Sequence, residues 1–498
     1  MKVDRRNFCR NAVAAGVTAT FPFAGGCSRS EAPTATTANT SIRGISLDGA
    51  EIELERAALK ELGDAMTGPV MLSGHPDYDG ARKIWNGMHD KHPALIARCQ
   101  NANDISLAVD FARDRNLLLA VRGGGHSWPG KSTCDDGMML DLADMKAVDV
   151  DAAGRTAWCQ GGALLGHLDD AALAQGLVTT AGVVSHTGVG GFTLGGGFGR
   201  LNRKYGLTID NLLGAEIITA DGTVRQVSAD NEPDLFWAIR GGGGNFGVVS
   251  KFHYQLHPFD RNVLSGLLVW PVAQARDVLE FYAEWAPGVS RELYTGPFMA
   301  TMPDGTGIIG MEVVYNGDPD QGEKELTPLR AIGTMIDDGV KLQDYKVLQT
   351  HEDATAAHGI RSYAKNGMVR EFTQGLVNDM IDAFVSDPRA AVFTHTTGGA
   401  VNDIGSSDTA FPYRSTESML VFFSGWTDPA EDDEVIAICR QWHDALAPHT
   451  GGHYDNIQWD GDKTVDSNYG PNYARLAEIK SRFDAGNLFR LNSNIKPA

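Results

Sequence analysis

Apolar positions in the first half of the chain come in short bursts that stop at glycine. The run Leu117-Leu118-Leu119-Ala120-Val121 has the length of a buried strand and ends at Arg122 and three glycines, Gly123, Gly124 and Gly125. His126, Ser127 and Trp128 follow directly. Upstream, Ile105, Ala108, Val109 and Ala112 recur at the spacing of one helix face, with Asn103-Asp104 placed to cap it. Leu140 to Val150 reads as strand and turn. Ala153-Gly154 turns into a strand over Thr156 to Gln160, and Leu164 to Ala174 reads as a helix ended by Gly176. Ala215 to Ala220, Asp221-Gly222 and Thr223 to Val227 have the form of a hairpin. Strands and helices alternate at short range, which places the region in the α+β or α/β classes.

Beyond about Pro258 the glycine clusters stop and longer elements take over. Ile308 to Tyr315 and Ser418 to Trp426 read as strands, and Gly322 to Ile332 and Glu431 to Leu446 as helices. This pattern predicts a second α+β domain, an antiparallel sheet with helices over one face. Gly451 to Ala498, rich in aromatics and asparagine, returns to the style of the first domain.

Two further glycine clusters change the reading of the first. One runs from Ser185 to Gly199, S-H-T-G-V-G-G-F-T-L-G-G-G-F-G, and the other from Gly241 to Gly247, G-G-G-G-N-F-G. A single G-G-G-H is best read as a turn with a surface histidine. Three clusters suit a long phosphate-bearing ligand that the backbone approaches closely at several points. Gly242, Gly244 and Gly247 match the dinucleotide fingerprint as a string, but a helical Asp234 to Arg240 precedes them and a strand-like Val248 to Leu256 follows. The fingerprint requires strand before and helix after, which argues against a Rossmann dehydrogenase.

The chain of 498 residues is long enough for two or more domains, and its 58 glycines are unusually many. A net charge of -20 argues against nucleic acid or an anionic membrane surface as partner. The body of the chain has no apolar run long enough to span a bilayer. Small molecules or sugars remain as substrates. At the start, Arg5-Arg6-Asn7-Phe8 with Arg10 resembles a twin-arginine export motif, followed by an apolar Ala12 to Phe23 and a candidate lipid-anchor residue, Cys27. These features predict a signal over residues 1–27, a flexible tether over 28–45, and an exported protein, periplasmic or secreted. Cys99, Cys134, Cys159 and Cys439 show no C-x-x-C pair and no zinc framework. His449 and His453 have the spacing of two helical metal ligands, but Pro448, Gly451 and Gly452 make a helix there unfavourable, so no metal site is predicted.

The three glycine clusters, Cys134-Asp135-Asp136-Gly137, Tyr205-Gly206-Leu207 with Asp210-Asn211, and Asp234 to Ala238 together resemble the FAD-linked oxidases of the berberine bridge enzyme type. Tyr454-Asp455-Asn456, Tyr469 to Leu476 and Asn487 to Ile495 resemble that family's closing segment. The resemblance runs from about Gly74 to the end. It implies a two-subdomain, PCMH-type FAD-binding domain over residues 46–260, a substrate domain over 261–445, and a C-terminal segment over 446–498 that returns to the flavin.

It further implies a covalent 8α-histidyl bond from FAD to His126. Flavin contacts are implied for Arg122, Gly123, Gly124, Gly125 and Ser127 in the first cluster. Val184, Ser185, Thr187, Gly188, Gly190, Gly191, Gly195, Gly196, Gly197 and Gly199 stand in the second, with Asp210 and Asn211 beyond it. Gly244, Asn245, Gly247, Val248, Asn492 and Asn494 complete the set. Many members add a cysteinyl bond, but Val184 holds that position here, so a single tether is implied. Tyr454 matches the family's tyrosine base, and Tyr413 is a second candidate. The implied reaction is hydride transfer from an alcohol, sugar hydroxyl or amine carbon to flavin N5, with O2 as acceptor. A dehydrogenase with another acceptor, or a flavoprotein or carbohydrate-binding module without turnover, remains the alternative.

Overall fold

The computed structural model describes residues 41–389, 391–459 and 464–498. The proposed signal, the candidate anchor Cys27 and most of the tether lie outside them. Three sheets organise the rest.

The first has four strands in the order Val70–Leu72, Leu95–Arg98, Met138–Asp141, Leu119–Arg122, with the last three parallel. The helix Ala102–Asp114 packs on it through the expected face, and Ile105, Ala108, Val109 and Ala112 are all fully buried. Its cap is Asn101 rather than Asn103-Asp104. The Asn101 Oδ1 accepts the Asp104 N–H at 3.0 Å. The Asp104 carboxylate then accepts the backbone N–H groups of Thr67 and Gly68.

Ser41–Ile45 also departs from expectation. It is a strand, paired antiparallel with Glu51–Glu55, where a tether was predicted. Alternation explains the difference, because Ile42, Ile52 and Leu54 all reach the core of this sheet. Backbone bonds from Ile45 to Asp136 and from Leu118 to Ile45 tie the hairpin to the strand that enters the first glycine loop.

The second sheet is antiparallel, in the order Val224–Ser228, Leu212–Ile218, Val248–Gln255, Thr156–Gln160, Val148–Asp151. The helix Pro233–Ile239 precedes the third glycine cluster and the strand Val248–Gln255 follows it, the reverse of a Rossmann unit.

The third sheet has eight antiparallel strands, among them Leu293–Thr301, Arg361–Val369, Ala391–Thr396 and Ser418–Trp426. The helices Ala275–Trp285, Gln374–Ser386 and Asp432–Leu446 cover one face in a shared core. The period of two sorts the side chains cleanly. Val392, Leu420 and Phe422 join the helix-side core, while Met419 and Val421 pack with Phe198 and Tyr454 on the opposite face. The bare face of this sheet therefore looks onto the glycine-rich half. The four cysteines Cys99, Cys134, Cys159 and Cys439 are buried free thiols, and among the described residues no helix is long and apolar enough to cross a membrane.

The C-terminal segment closes the structure through a buried charge. Lys480, on the helix Asn472–Phe483, donates to the Asp484 carboxylate at 2.6 Å and to the carbonyls of Asn245 and Phe489. Both side chains of the ion pair are fully buried, so removing one partner strands the other in a low dielectric. Lys480→Met is expected to cost about 3–5 kcal/mol of stability, read as a lower urea midpoint. An unchanged midpoint would show that the pair holds nothing in place.

Candidate active site

The loop after Leu119–Arg122 is built by close backbone approach. A Cβ on Gly124 would overlap the Cα of Gly188, and one on Gly188 would overlap Gly124, so the first two clusters meet glycine to glycine. Gly123 lies against the carbonyl of Gly161. Gly125 adopts φ +70°, and its carbonyl accepts the N–H of Trp85 at 2.8 Å. The turn delivers His126 onto the face of Trp85, ring centroids 4.4 Å apart and nearly parallel. His186 tilts against His126 at 5.1 Å, and His358 against His186 at 5.0 Å.

Burial first, then the charges of His186 and His358, pull the His126 pKa down to about 3. The imidazole is neutral at pH 7, and its Nε2 is buried without a hydrogen-bond partner. Both ring nitrogens of His186 are in the same condition. Buried polar atoms of this kind mark a place where a ligand belongs.

The cavity holds about 310 Å³. Its lining includes Gly123, Gly124, Gly125, His126, Ser127, Val184, Thr187, Gly188, Gly190, Gly191 and Gly195, with Gly244, Asn245, Gly247, Val248 and Asn492 from the third cluster and the C-terminal segment. A Cβ on Gly191 would meet no atom within 4 Å, and one on Gly243 none nearer than 3.7 Å, so both glycines border open space. Orphaned ring nitrogens and a glycine-walled cleft fit a flavin dinucleotide. Asn245 braces the cleft, donating to the carbonyls of Gly242 and Ser493 and accepting the N–H of Ile495.

Other expected contacts lie behind the wall. Arg122 and Arg98 share the buried Asp141, each at 2.9 Å, and the Arg122 Nε is buried without a partner. Ser185 donates its N–H and hydroxyl to Asp353. Gly196, Gly197 and Gly199 pack against protein, and a Cβ on Gly199 would overlap the carbonyl of Ala181. The Asp210 carboxylate is held by both terminal nitrogens of Arg414 at 2.8 Å, and the Asn211 amide bonds Tyr205, Leu207 and His257. Their polar atoms are spent on bracing the turn after the second cluster. Asn494 lies off the lining, with its Oδ1 buried and unpartnered.

The two tyrosine candidates separate. Tyr454 lines the cavity, 3% exposed. Its hydroxyl accepts the Asn456 Nδ2–H at 2.7 Å and the Gly197 N–H at 3.3 Å, and donates a long 3.4 Å bond to the Phe192 carbonyl. Burial pushes its pKa up. Tyr413 is outside the cavity, and its hydroxyl is engaged by the carbonyl and side chain of Asn468 at 2.6 and 2.7 Å. That neighbour removes it from the site.

Among the lining residues that sequence reasoning missed are His395, Asn456 and Tyr469. His395 sits in an unmarked Thr-His-Thr on the strand Ala391–Thr396, and only its period-two relation to Phe393 could have signalled a shared face. Burial pulls its pKa down to about 3, and the Tyr294 hydroxyl shares a 2.8 Å hydrogen bond with its Nδ1. His449 and His453 each pair with a separate carboxylate, Asp379 and Asp455. No cluster of three or more potential metal ligands is found among the described residues.

The Gly124–Gly188 approach is open to test by adding one methyl group. Gly124→Ala is expected to cost about 1–3 kcal/mol through overpacking and to lower flavin content in the purified protein. Gly191→Ala should leave the melting temperature unchanged. Equal melting temperatures for the two variants would refute the close approach.

The family described as FAD binding domain matches residues 93–228, and that described as berberine and berberine like matches residues 456–496. An FAD-linked oxidoreductase of Dictyostelium discoideum is 32% identical over 450 residues, covering 88% of this chain and 97% of its own length. (R)-6-hydroxynicotine oxidase of Paenarthrobacter nicotinovorans is 31% identical over 461 residues, with 87% and 97% covered. The crystal structure of 6-hydroxy-D-nicotine oxidase from Arthrobacter nicotinovorans matches with a TM-score of 0.77 at 30% identity, over 87% of this chain and 98% of that one. With three glycine clusters converging on one cleft and a C-terminal segment closing it, the chain belongs to the berberine bridge enzyme-like family of FAD-linked oxidoreductases.

Proposed function

We propose that the protein is an exported oxidase whose FAD is tethered covalently through His126 alone, and which oxidises an alcohol, sugar-hydroxyl or amine carbon at the expense of O2. One observation carries the reading. At the glycine-lined cleft stands a neutral histidine whose Nε2 is buried and unpartnered. A neutral imidazole has the lone pair that a nucleophile needs, and the stack on Trp85 fixes the ring plane. Val184 has no sulfur to form a second bond. A permanent tether also suits an exported protein, which meets no supply of FAD outside the cell.

Bound FAD supplies the two-electron acceptor, with hydride arriving at N5. The balance is an alcohol or amine oxidised to carbonyl or imine, and O2 reduced to hydrogen peroxide. The chain's own task is to place the substrate and handle its proton. Tyr454 is the hydroxyl best placed for that. Its long bond to the Phe192 carbonyl is the easiest to exchange for one to a substrate oxygen. Burial keeps the phenol protonated, so Tyr454 orients that oxygen by hydrogen bonding, while acting as a base would first require loss of its own proton.

Acid-precipitated wild-type protein should stay yellow, and His126→Ala should release its flavin into the supernatant. Flavin retained in the variant pellet would move the tether elsewhere, with His186 next. Tyr454→Phe should slow anaerobic flavin reduction about 100-fold through a misplaced substrate. An unchanged rate would take Tyr454 out of the chemistry. Oxygen consumed in step with product supports an oxidase, and turnover only with an artificial acceptor would make it a dehydrogenase.

A further inference from the structure

We propose that His395 reads the substrate through one directional hydrogen bond, and that the substrate is a flat aromatic or heteroaromatic molecule carrying a hydroxyl. The inference rests on the cleft being the oxidoreductase's substrate site and goes on to name the class of molecule it takes.

The register of the third sheet places the residues. Phe393 and His395 lie two apart on Ala391–Thr396, and His395 pairs directly with Met419 on the neighbouring strand. All three therefore leave the same face and line the cavity. Across from them stand Phe198, Ile457 and Tyr454. Phe198 and Phe393 flank the imidazole at 6.3 and 5.1 Å between ring centroids. This end of the cavity is a slot between apolar and aromatic side chains.

The polar groups in the slot are mostly committed. The Asn456 amide is held by the Gly191 carbonyl and the Tyr454 hydroxyl, and the Asp455 carboxylate by His453 and Tyr469. His395 differs. It is 6% exposed, its Nδ1 is occupied by Tyr294, and Nε2 has no hydrogen-bond partner in the protein. Tyr294 is itself buried, so the ring is held in one orientation. A ligand that leaves this nitrogen unpaired forfeits a hydrogen bond in a desolvated site, whereas a hydroxyl, which both donates and accepts, satisfies it in either tautomer of the ring. An oligosaccharide carries many hydroxyls that this slot leaves without partners, and an aromatic ring carries none.

Calorimetric titration of the holoenzyme with 4-hydroxybenzyl alcohol, 4-methylbenzyl alcohol and xylobiose tests the inference. The first two differ by a hydroxyl for a methyl of similar size. The hydroxylated compound should bind about tenfold or more tightly than its methyl analogue. His395→Leu should abolish that preference while leaving the methyl analogue's affinity in place. Tyr294→Phe, which keeps the ring and removes only the hydroxyl, should reduce the preference if His395→Leu fails to fold. Equal or absent binding of the two aromatics, a preference that survives in both variants, or tighter binding of xylobiose would overturn the inference. Flavin bleaching by the same compounds, recorded separately, tests the oxidoreductase reading. Selective binding without bleaching would count against that reading alone, and bleaching by xylobiose alone would count against the aromatic substrate.

Discussion

Two loops from distant parts of the chain touch backbone to backbone at Gly124 and Gly188, and the cleft depends on that contact. No side chain larger than hydrogen fits at either position. The approach turns His126 out onto Trp85 and leaves Val184, Thr187 and Gly190 along the same wall. A methyl group at the crossing would push the loops apart and move every group they carry. The glycines trade chain entropy for geometry, and the hydrophobic cores of the two sheets beneath them supply the offset.

The segment before the strand Arg361–Val369 is joined to this wall by specific polar contacts. Asp353 accepts two hydrogen bonds from Ser185, the Ala356 carbonyl accepts the Trp85 indole N–H at 2.6 Å, and His358 tilts against His186. The segment from His351 to Ile360 thus closes over the histidine end of the cleft. At the other end the sheet presents Phe393, His395 and Met419. Both ends of the cleft are held in one frame, which is what transfer between two fixed atoms requires.

Much of this frame was legible in the sequence. Glycine clusters are informative because few other needs explain three of them in one domain, and strands such as Thr156–Gln160 and Ser418–Trp426 follow from apolar pattern alone. What escaped was anything set by partners distant in sequence. Asp210 looks like a ligand-binding residue until Arg414 is seen to take its charge. Tyr454 led Tyr413 on paper only by resemblance, and the fold points one into the cavity and the other at Asn468. His395 had no motif at all, since its meaning lies in a strand pairing and in Tyr294, 101 residues away.

In the proposed enzyme His126 alone carries the flavin. Trypsin separates the relevant histidines, because Arg122 and Lys131 bound one peptide around His126 while His186 falls in another, between Arg155 and Arg200. Mass spectrometry of the digested holoenzyme should find the flavin mass on the peptide containing His126 and nowhere else. Flavin on the peptide containing Val184 and His186, or on no peptide, would contradict the account.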